Sequence, residues 1–392
     1  MLERANKYLS PVLTHVTEVE IEKGKGCYLF GLDGKKYLDF ASGIAVVNTG
    51  HCHPKVVKAA ASQIKKLIHA CAGIVYYSPN VDLAEKLAQI TPAGLDVAFF
   101  CQSGTEAIEA GLKLAKYATK KPGIISFEKS FHGRTLGALS VTNSNPKYRE
   151  NYEPLLPKVY TVPKQIEAVK KVLAENKDIA ACIIEPIQCE GGYLFPEDGF
   201  LPALRKVCDE NGVLLIFDEV QSGFGRTGYW FACQHYKVAP DILCLAKAIA
   251  SGFPLGAIIS TKALMDKWLP GAHGGTMSGN PVTCAAGLAT LQVIEEENLM
   301  ENAQQQGAYL KKKLEKLKKS HSEIKDVRGL GLMVAVEFDS KDKVKEIQKK
   351  CLAENLILIS CGDGQVIRFI PPLIVKKKQI NDALRIFQKA LS

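Results

Sequence analysis

Short unbroken apolar runs at residues 97–101, 123–127, 180–184, 213–217 and 242–246 set the limits on this fold. None alternates polar and apolar positions along its length, so each predicts a strand buried on both faces. Between the third and fourth runs, Leu201, Leu204, Val207 and Cys208 form a helical stripe that Gly212 closes. Strand, helix, strand at that length is a βαβ crossover, and several of them imply a mostly parallel sheet between two layers of helices. Residues 46–285 are therefore expected to form one large α/β domain. Residues 1–45 carry strand-like pieces around Gly24, Gly26, Gly31 and Gly34, with a turn at Leu32-Asp33-Gly34-Lys35, and predict a small β element. From 286 onward a helix precedes an apolar run at 332–338, a second helix, and a hairpin of 356–360 with 365–370. This reads as a smaller α+β domain to which the N-terminal segment contributes.

With 392 residues, 47% of them apolar, the chain can bury a large core in two or three domains. Its net charge of +9 gathers largely at Lys311–Lys319 and Lys376–Lys378. In the first cluster Leu310, Leu314 and Leu317 recur at helical spacing, which makes the lysines the wet face of an amphipathic helix. No aromatic residues interleave either cluster, so a nucleic-acid groove is not expected. The twelve cysteines include no CxxC pair, and Cys182, Cys244 and Cys284 fall inside apolar runs, which favours reduced, buried thiols over a disulfide framework. His51, Cys52 and His53 are adjacent and cannot easily converge on one tetrahedral ion, so a turn before Pro54 is expected and no metal. No apolar leader and no membrane span is visible, and the expected setting is the cytoplasm.

In open α/β sheets ligands bind at the carboxyl ends of the strands. After 97–101 comes Gln102-Ser103-Gly104-Thr105-Glu106, a small-residue loop opening a helix, suited to a phosphate or simply capped by Ser103. After 213–217 comes Asp218-Glu219, and a carboxylate ending a buried strand needs a partner. After 242–246 comes Lys247 among apolar neighbours, where burial favours the neutral amine that a Schiff-base lysine requires; a structural Asp218–Lys247 salt bridge is the alternative. Together, an anion site, an acid for a pyridine nitrogen and a desolvated lysine fit pyridoxal 5'-phosphate.

The chain resembles the class III, or ω-amino acid, aminotransferases of the type I pyridoxal phosphate fold. The likeness runs from Asp39-Phe40-Ala41-Ser42-Gly43-Ile44 to Val366-Ile367-Arg368-Phe369. It is carried by Ser103-Gly104-Thr105-Glu106-Ala107, Phe131-His132-Gly133-Arg134-Thr135, Glu185-Pro186-Ile187-Gln188-Cys189-Glu190-Gly191-Gly192, Asp218-Glu219-Val220-Gln221, Ala246-Lys247, and Gly275-Thr276 with Gly279-Asn280-Pro281. The resemblance implies that Ser103, Gly104 and Thr105 bind the cofactor phosphate, that Phe131 and Val220 sandwich the ring, and that Asp218 pairs with its nitrogen. It implies cofactor contacts from His132, Glu185 and Gln221, and a Schiff base on Lys247, which would later shuttle the substrate proton. Thr276 would reach the phosphate bound by a neighbouring subunit, so the expected unit is a homodimer with its active site at the subunit interface. Cys189 stands where the family usually has glycine, and Arg226 in Gly225-Arg226-Thr227-Gly228 matches the family but receives no catalytic role.

The expected substrates are a small-molecule amine donor and 2-oxoglutarate, with Ile44, Arg134, Glu190 and Arg368 as substrate-binding residues. Ile44 stands where ornithine aminotransferases place a tyrosine for the α-amino group. Arg134 would hold the distal carboxylate, while Glu190 would swing on and off Arg368 so that one pocket accepts both substrates. The leading expectation for the donor is 4-aminobutyrate, yielding succinate semialdehyde and glutamate, because Cys361-Gly362 shortly before the Arg368 strand resembles the 4-aminobutyrate branch of the family. N-acetylornithine, ornithine or 5-aminovalerate are the alternatives; the compact stretch 157–180 makes N-acetylornithine the nearest rival. An aminomutase would need no second carboxylate site, and a non-catalytic homologue should have lost Lys247 or Asp218.

Overall fold

A computed structural model describes residues 1–392. Its centre is a seven-stranded sheet of β4 (Val97–Cys101), β5 (Gly123–Phe127), β6 (Val159–Val162), β7 (Ile179–Ile184), β8 (Leu214–Asp218), β9 (Ile242–Leu245) and β10 (Gly256–Ser260), in the order β4-β10-β9-β8-β7-β5-β6. Only β10 runs antiparallel to its neighbours. Every residue of β5, β7, β9 and β10 is buried, which is why β5, β7 and β9 read as unbroken apolar runs. The five predicted strands are all present. Phe200–Asn211 forms the crossover helix between β7 and β8, ended by Gly212 at φ 60°, a left-handed cap that glycine adopts without steric cost.

Before the large sheet, β1 (Ile21–Lys25), β2 (Tyr28–Gly31) and β3 (Lys36–Asp39) form an antiparallel meander. After it come β11 (Ile324–Leu330), β12 (Met333–Phe338), β13 (Leu356–Ile357), β14 (Ile359–Cys361) and β15 (Val366–Phe369). The expected hairpin needs correction. β13 leaves it to pair in parallel with Leu38 and Asp39 of β3, whereas β14 alone turns back onto β15. One apolar run thus serves two sheets, β1-β2-β3-β13 and β11-β12-β15-β14. The helix Pro281–Glu296 spans the expected boundary at 285 and packs on the helices Pro54–Ile64 and Ser78–Ile90.

The lysine clusters behave as expected: Leu310 and Leu314 are fully buried on the helix Leu299–Lys318 while its lysines face outward. His51 Nε2 lies 2.7 Å from Asp39, and His53 caps the helix that Pro54 opens. All cysteines are unpaired thiols, most of them buried. No helix is long and apolar enough to cross a membrane.

Candidate active site

Four adjacent strands deliver chemistry to one place. The residues leaving β9, β8, β7 and β5 at their carboxyl ends are Lys247, Asp218, Glu185 and the segment Phe131–Arg134. They line a cavity of about 300 Å³ together with Gly104, Thr105, Cys189, Glu190, Val220 and Gln221. Its position at the strand ends is the usual ligand crevice of such sheets.

The anion end is the start of the sixteen-residue helix Gly104–Thr119. Ser103 caps it, its Oγ accepting from Glu106 N–H at 3.3 Å, while Glu106 Oε2 accepts from Gln102 N–H at 2.7 Å. The Ser103 hydroxyl is thus a cap and lies outside the cavity wall, leaving Gly104 and Thr105 to face it. Gly104 is required by space: a Cβ there would stand 2.8 Å from Val220 Cγ1. Free N–H groups of the first turn and the positive dipole end favour a phosphate at this point.

At the other end Asp218 is buried and tightly oriented. Its Oδ2 is 2.8 Å from His132 Nδ1, and its Oδ1 accepts from Val220 N–H at 3.0 Å. Glu219 diverges to the opposite side, accepting from Ala232 and Cys233 N–H groups and the Ser222 hydroxyl, so its role is to anchor that loop. Glu185 accepts from Phe131 N–H at 2.9 Å and Cys189 N–H at 3.0 Å. Burial, with the charge of Asp218 adding to it against the attraction of His132, pushes the Glu185 carboxyl up to about 7.

Lys247 is half-buried at the cavity wall, and no carboxylate lies within ion-pair distance of it. The predicted alternative of an Asp218–Lys247 salt bridge is not what forms, since Asp218 pairs with His132. The Lys247 backbone sits at φ 48°, an unfavourable left-handed conformation for a side-chain-bearing residue that turns it sharply off β9.

Arg368 and Glu190 meet across the chain, Nη1 to Oε1 at 2.5 Å, and Arg368 Nη2 donates to Ser360 O at 2.7 Å. Arg368 is 4% exposed and sits behind Glu190 rather than in the cavity wall. Burial opposes its charge most strongly, but attraction to Glu190, with smaller contributions from Cys361 and Tyr193 and the Glu190 hydrogen bond, together outweighs this and holds the guanidinium protonated. Arg134 is exposed at the mouth, its guanidinium carbon 4.0 Å from the Tyr148 ring centroid and 5.9 Å from that of Phe131. Gln221 Oε1 accepts from the buried Tyr193 hydroxyl at 2.8 Å. Ile44 is exposed at φ 66°, between Ala41 and Ala45, which pack in one cluster with Cys189, Cys361 and Ile370. Neither Ile44 nor the exposed Thr276 enters this chain's cavity wall.

Sequence reasoning missed Tyr148 and Tyr193. Tyr193 carried a faint signal, an aromatic residue directly after Gly191-Gly192; Tyr148 lies in a short turn without periodicity and carried none. Cys189, flagged as a departure, is buried against the cavity with its thiol donating to Ile187 O at 3.2 Å.

The residues fit pyridoxal phosphate on their own chemistry. His132 Nδ1 faces Asp218 while its Nε2 is buried without a partner, and a phosphate cradle, a fixed carboxylate and an unpaired lysine ring one cavity.

The aminotransferase class-III family model matches residues 10–391. An acetylornithine aminotransferase of Methanosarcina mazei is 44% identical over 94% of this chain and 91% of its own length. The 4-aminobutyrate aminotransferase of Escherichia coli is 38% identical over 99% and 97%. An ornithine aminotransferase structure from Toxoplasma gondii, described as having partial occupancy of pyridoxal phosphate at its active site, superposes with a TM-score of 0.94 at 30% identity, covering 100% and 93% of the two chains. This chain belongs to the class III aminotransferases, which depend on pyridoxal phosphate.

Proposed function

We propose that this aminotransferase takes the ω-amino group of N-acetylornithine, leaving an aldehyde, and in a second half-reaction passes it to 2-oxoglutarate to give glutamate. The donor reading moves from 4-aminobutyrate to its nearest rival because identity is 44% to the acetylornithine enzyme and 38% to the 4-aminobutyrate enzyme. Ile44 counts against free ornithine only: its side chain offers no hydrogen bond to an α-ammonium, a charge that neither N-acetylornithine nor 4-aminobutyrate carries. The observation that carries the reaction class is the convergence of Lys247, Asp218 and the Gly104–Thr105 helix start on one cavity.

Bound pyridoxal phosphate supplies an electron sink for the charge left when a proton leaves the carbon bearing the amino group. Gly104 and Thr105 would hold the phosphate at the helix start, with Phe131 and Val220 available to the ring. Asp218, steadied by His132, would keep a proton on the ring nitrogen, and Gln221, steadied by Tyr193, would meet the ring hydroxyl. Lys247 Nζ takes the proton from the substrate carbon and returns it. Arg134 holds the distal carboxylate, with Tyr148 stacked on its guanidinium to keep it aimed. Thr276, exposed and outside its own cavity wall, we assign to the phosphate of a second copy in a homodimer.

Glu190 closed on Arg368 suits the ω-amine, which has no carboxylate beside the reacting carbon; glutamate displaces Glu190 and pairs with Arg368 itself. Glu190→Ala leaves a buried, unpaired guanidinium, so the half-reaction with the ω-amine should slow on the order of tenfold or more while that with glutamate is spared. Single-turnover absorbance changes of the cofactor read both, and equal losses would remove the switch.

A panel of N-acetylornithine, 4-aminobutyrate and ornithine with 2-oxoglutarate tests the donor. N-acetylornithine should show the highest kcat/KM and ornithine the lowest. A higher value for 4-aminobutyrate would restore that donor.

A further inference from the structure

Arg226 is the largest fully buried side chain, 0% exposed, and no carboxylate lies within ion-pair distance of it. A cation in such a place is costly unless its donors are used. Both Nη groups donate to neutral acceptors from three separate stretches, Nη1 to Leu332 O at 3.0 Å and to Pro371 O at 2.6 Å and Nη2 to Asn48 Oδ1 at 2.5 Å, while Nε is buried without a partner. Asn48 in turn donates to Phe224 O at 2.7 Å, two residues from Arg226, and Leu332 N–H donates to Arg226 O at 3.0 Å.

The first two acceptors define what the arginine does. β12 and β15 are antiparallel, with Val334 opposite Phe369 and Ala335 opposite Arg368. Extending that register by two residues sets Leu332 opposite Pro371. Proline has no N–H to offer the Leu332 carbonyl, and the Leu332 N–H is turned onto Arg226 O, so the ladder ends there with both carbonyls unmatched. Arg226 bridges both. Its backbone belongs to the loop that continues from Asp218, Val220 and Gln221, so the same side chain joins the cofactor loop to the strand that bears Arg368.

We propose that Arg226 is a positioning residue for Arg368: by bridging Leu332 and Pro371 it fixes the Arg368 strand against the loop of Asp218, Val220 and Gln221. The proposal rests on the reading of Arg368 as the partner of the carboxylate beside the reacting carbon. It explains why a buried cation is retained where a packed apolar residue would be cheaper. An apolar residue can fill the space but cannot satisfy three carbonyl groups from three stretches.

The test is Arg226→Met in the holoenzyme, with Asn48→Ala, which removes only one of the three acceptors, as the milder variant should Arg226→Met fail to fold. Each half-reaction is followed by single-turnover absorbance. KM for glutamate and 2-oxoglutarate should rise on the order of tenfold, with the holoenzyme spectrum unchanged and the ω-amine half-reaction nearly so; Asn48→Ala should give a smaller shift in the same direction. Arg226→Lys, with a single point donor, should restore only part of the KM. Equal losses in both half-reactions, or no change in KM for the dicarboxylates, would overturn the proposal while leaving the assignment of Arg368 standing. Wild-type enzyme that fails with glutamate altogether would overturn that assignment and the proposal with it.

Discussion

Lys247→Ala should retain bound cofactor and lose turnover by on the order of 10³-fold or more, in the range a positioned proton-transfer group contributes. Three features single out this lysine. It is the only lysine in the cavity wall, it leaves β9 directly beside the strand that ends in Asp218, and no carboxylate neutralises it. The helix start at Gly104 and Thr105, proposed to hold the phosphate, is untouched by the change, so cofactor retention is expected from that end of the site. Stability should change little, because the side chain is half-buried and makes no hydrogen bond within the chain. Borohydride reduction of the wild-type holoenzyme should fix the pyridoxyl group on Lys247. Turnover within tenfold of wild type, or label on another lysine, would move the chemistry elsewhere.

The sequence exposed most where the physics is local. Strands buried on both faces appear as apolar runs whatever their partners, so β4, β5, β7, β8 and β9 were legible, and the strand-end residues Asp218 and Lys247 followed from them. β10 was hidden because Gly256–Ser260 follows Gly252 and Pro254 and reads as the end of a loop; only its antiparallel pairing with β4 and β9 makes it a strand. β6 and β11 are partly exposed, without an apolar run to mark them. The single run 356–361 hid a change of sheet, since nothing local distinguishes a partner in β3 from one in β15. In the site, an arginine interrupting the apolar row of β15 pointed to Arg368, and its pairing with Glu190 followed from the resemblance. Contacts to backbone carbonyls or aromatic faces left no such mark: Arg226 and the Tyr148 stack on Arg134 depend on chain crossings far apart in sequence.

Asp218→Asn carries the second large effect and separates an electronic role from a structural one. Asparagine keeps the shape and can still accept from Val220 N–H, but it loses the charge and turns an amide N–H towards His132 Nδ1 in place of an acceptor. If the carboxylate holds a proton on the ring nitrogen, removing it breaks one half of a buried ion pair, a loss of about 3–5 kcal/mol, which corresponds to on the order of 10²- to 10⁴-fold in rate. The loss should fall on the step in which Lys247 removes the proton. A donor deuterated at the carbon bearing the amino group should then show a larger isotope effect in the variant than in wild type, because proton removal becomes more fully rate-limiting. The site also predicts a secondary change. Burial chiefly, with the charge of Asp218 adding to it, raises the Glu185 carboxyl to about 7, so removal of that charge should let Glu185 ionise at lower pH. It cannot replace Asp218, because its two oxygens already accept from the Phe131 and Cys189 N–H groups and are aimed at those loops. Near-wild-type rates with an unchanged isotope effect would reduce Asp218 to a residue that orients His132 at the end of β8.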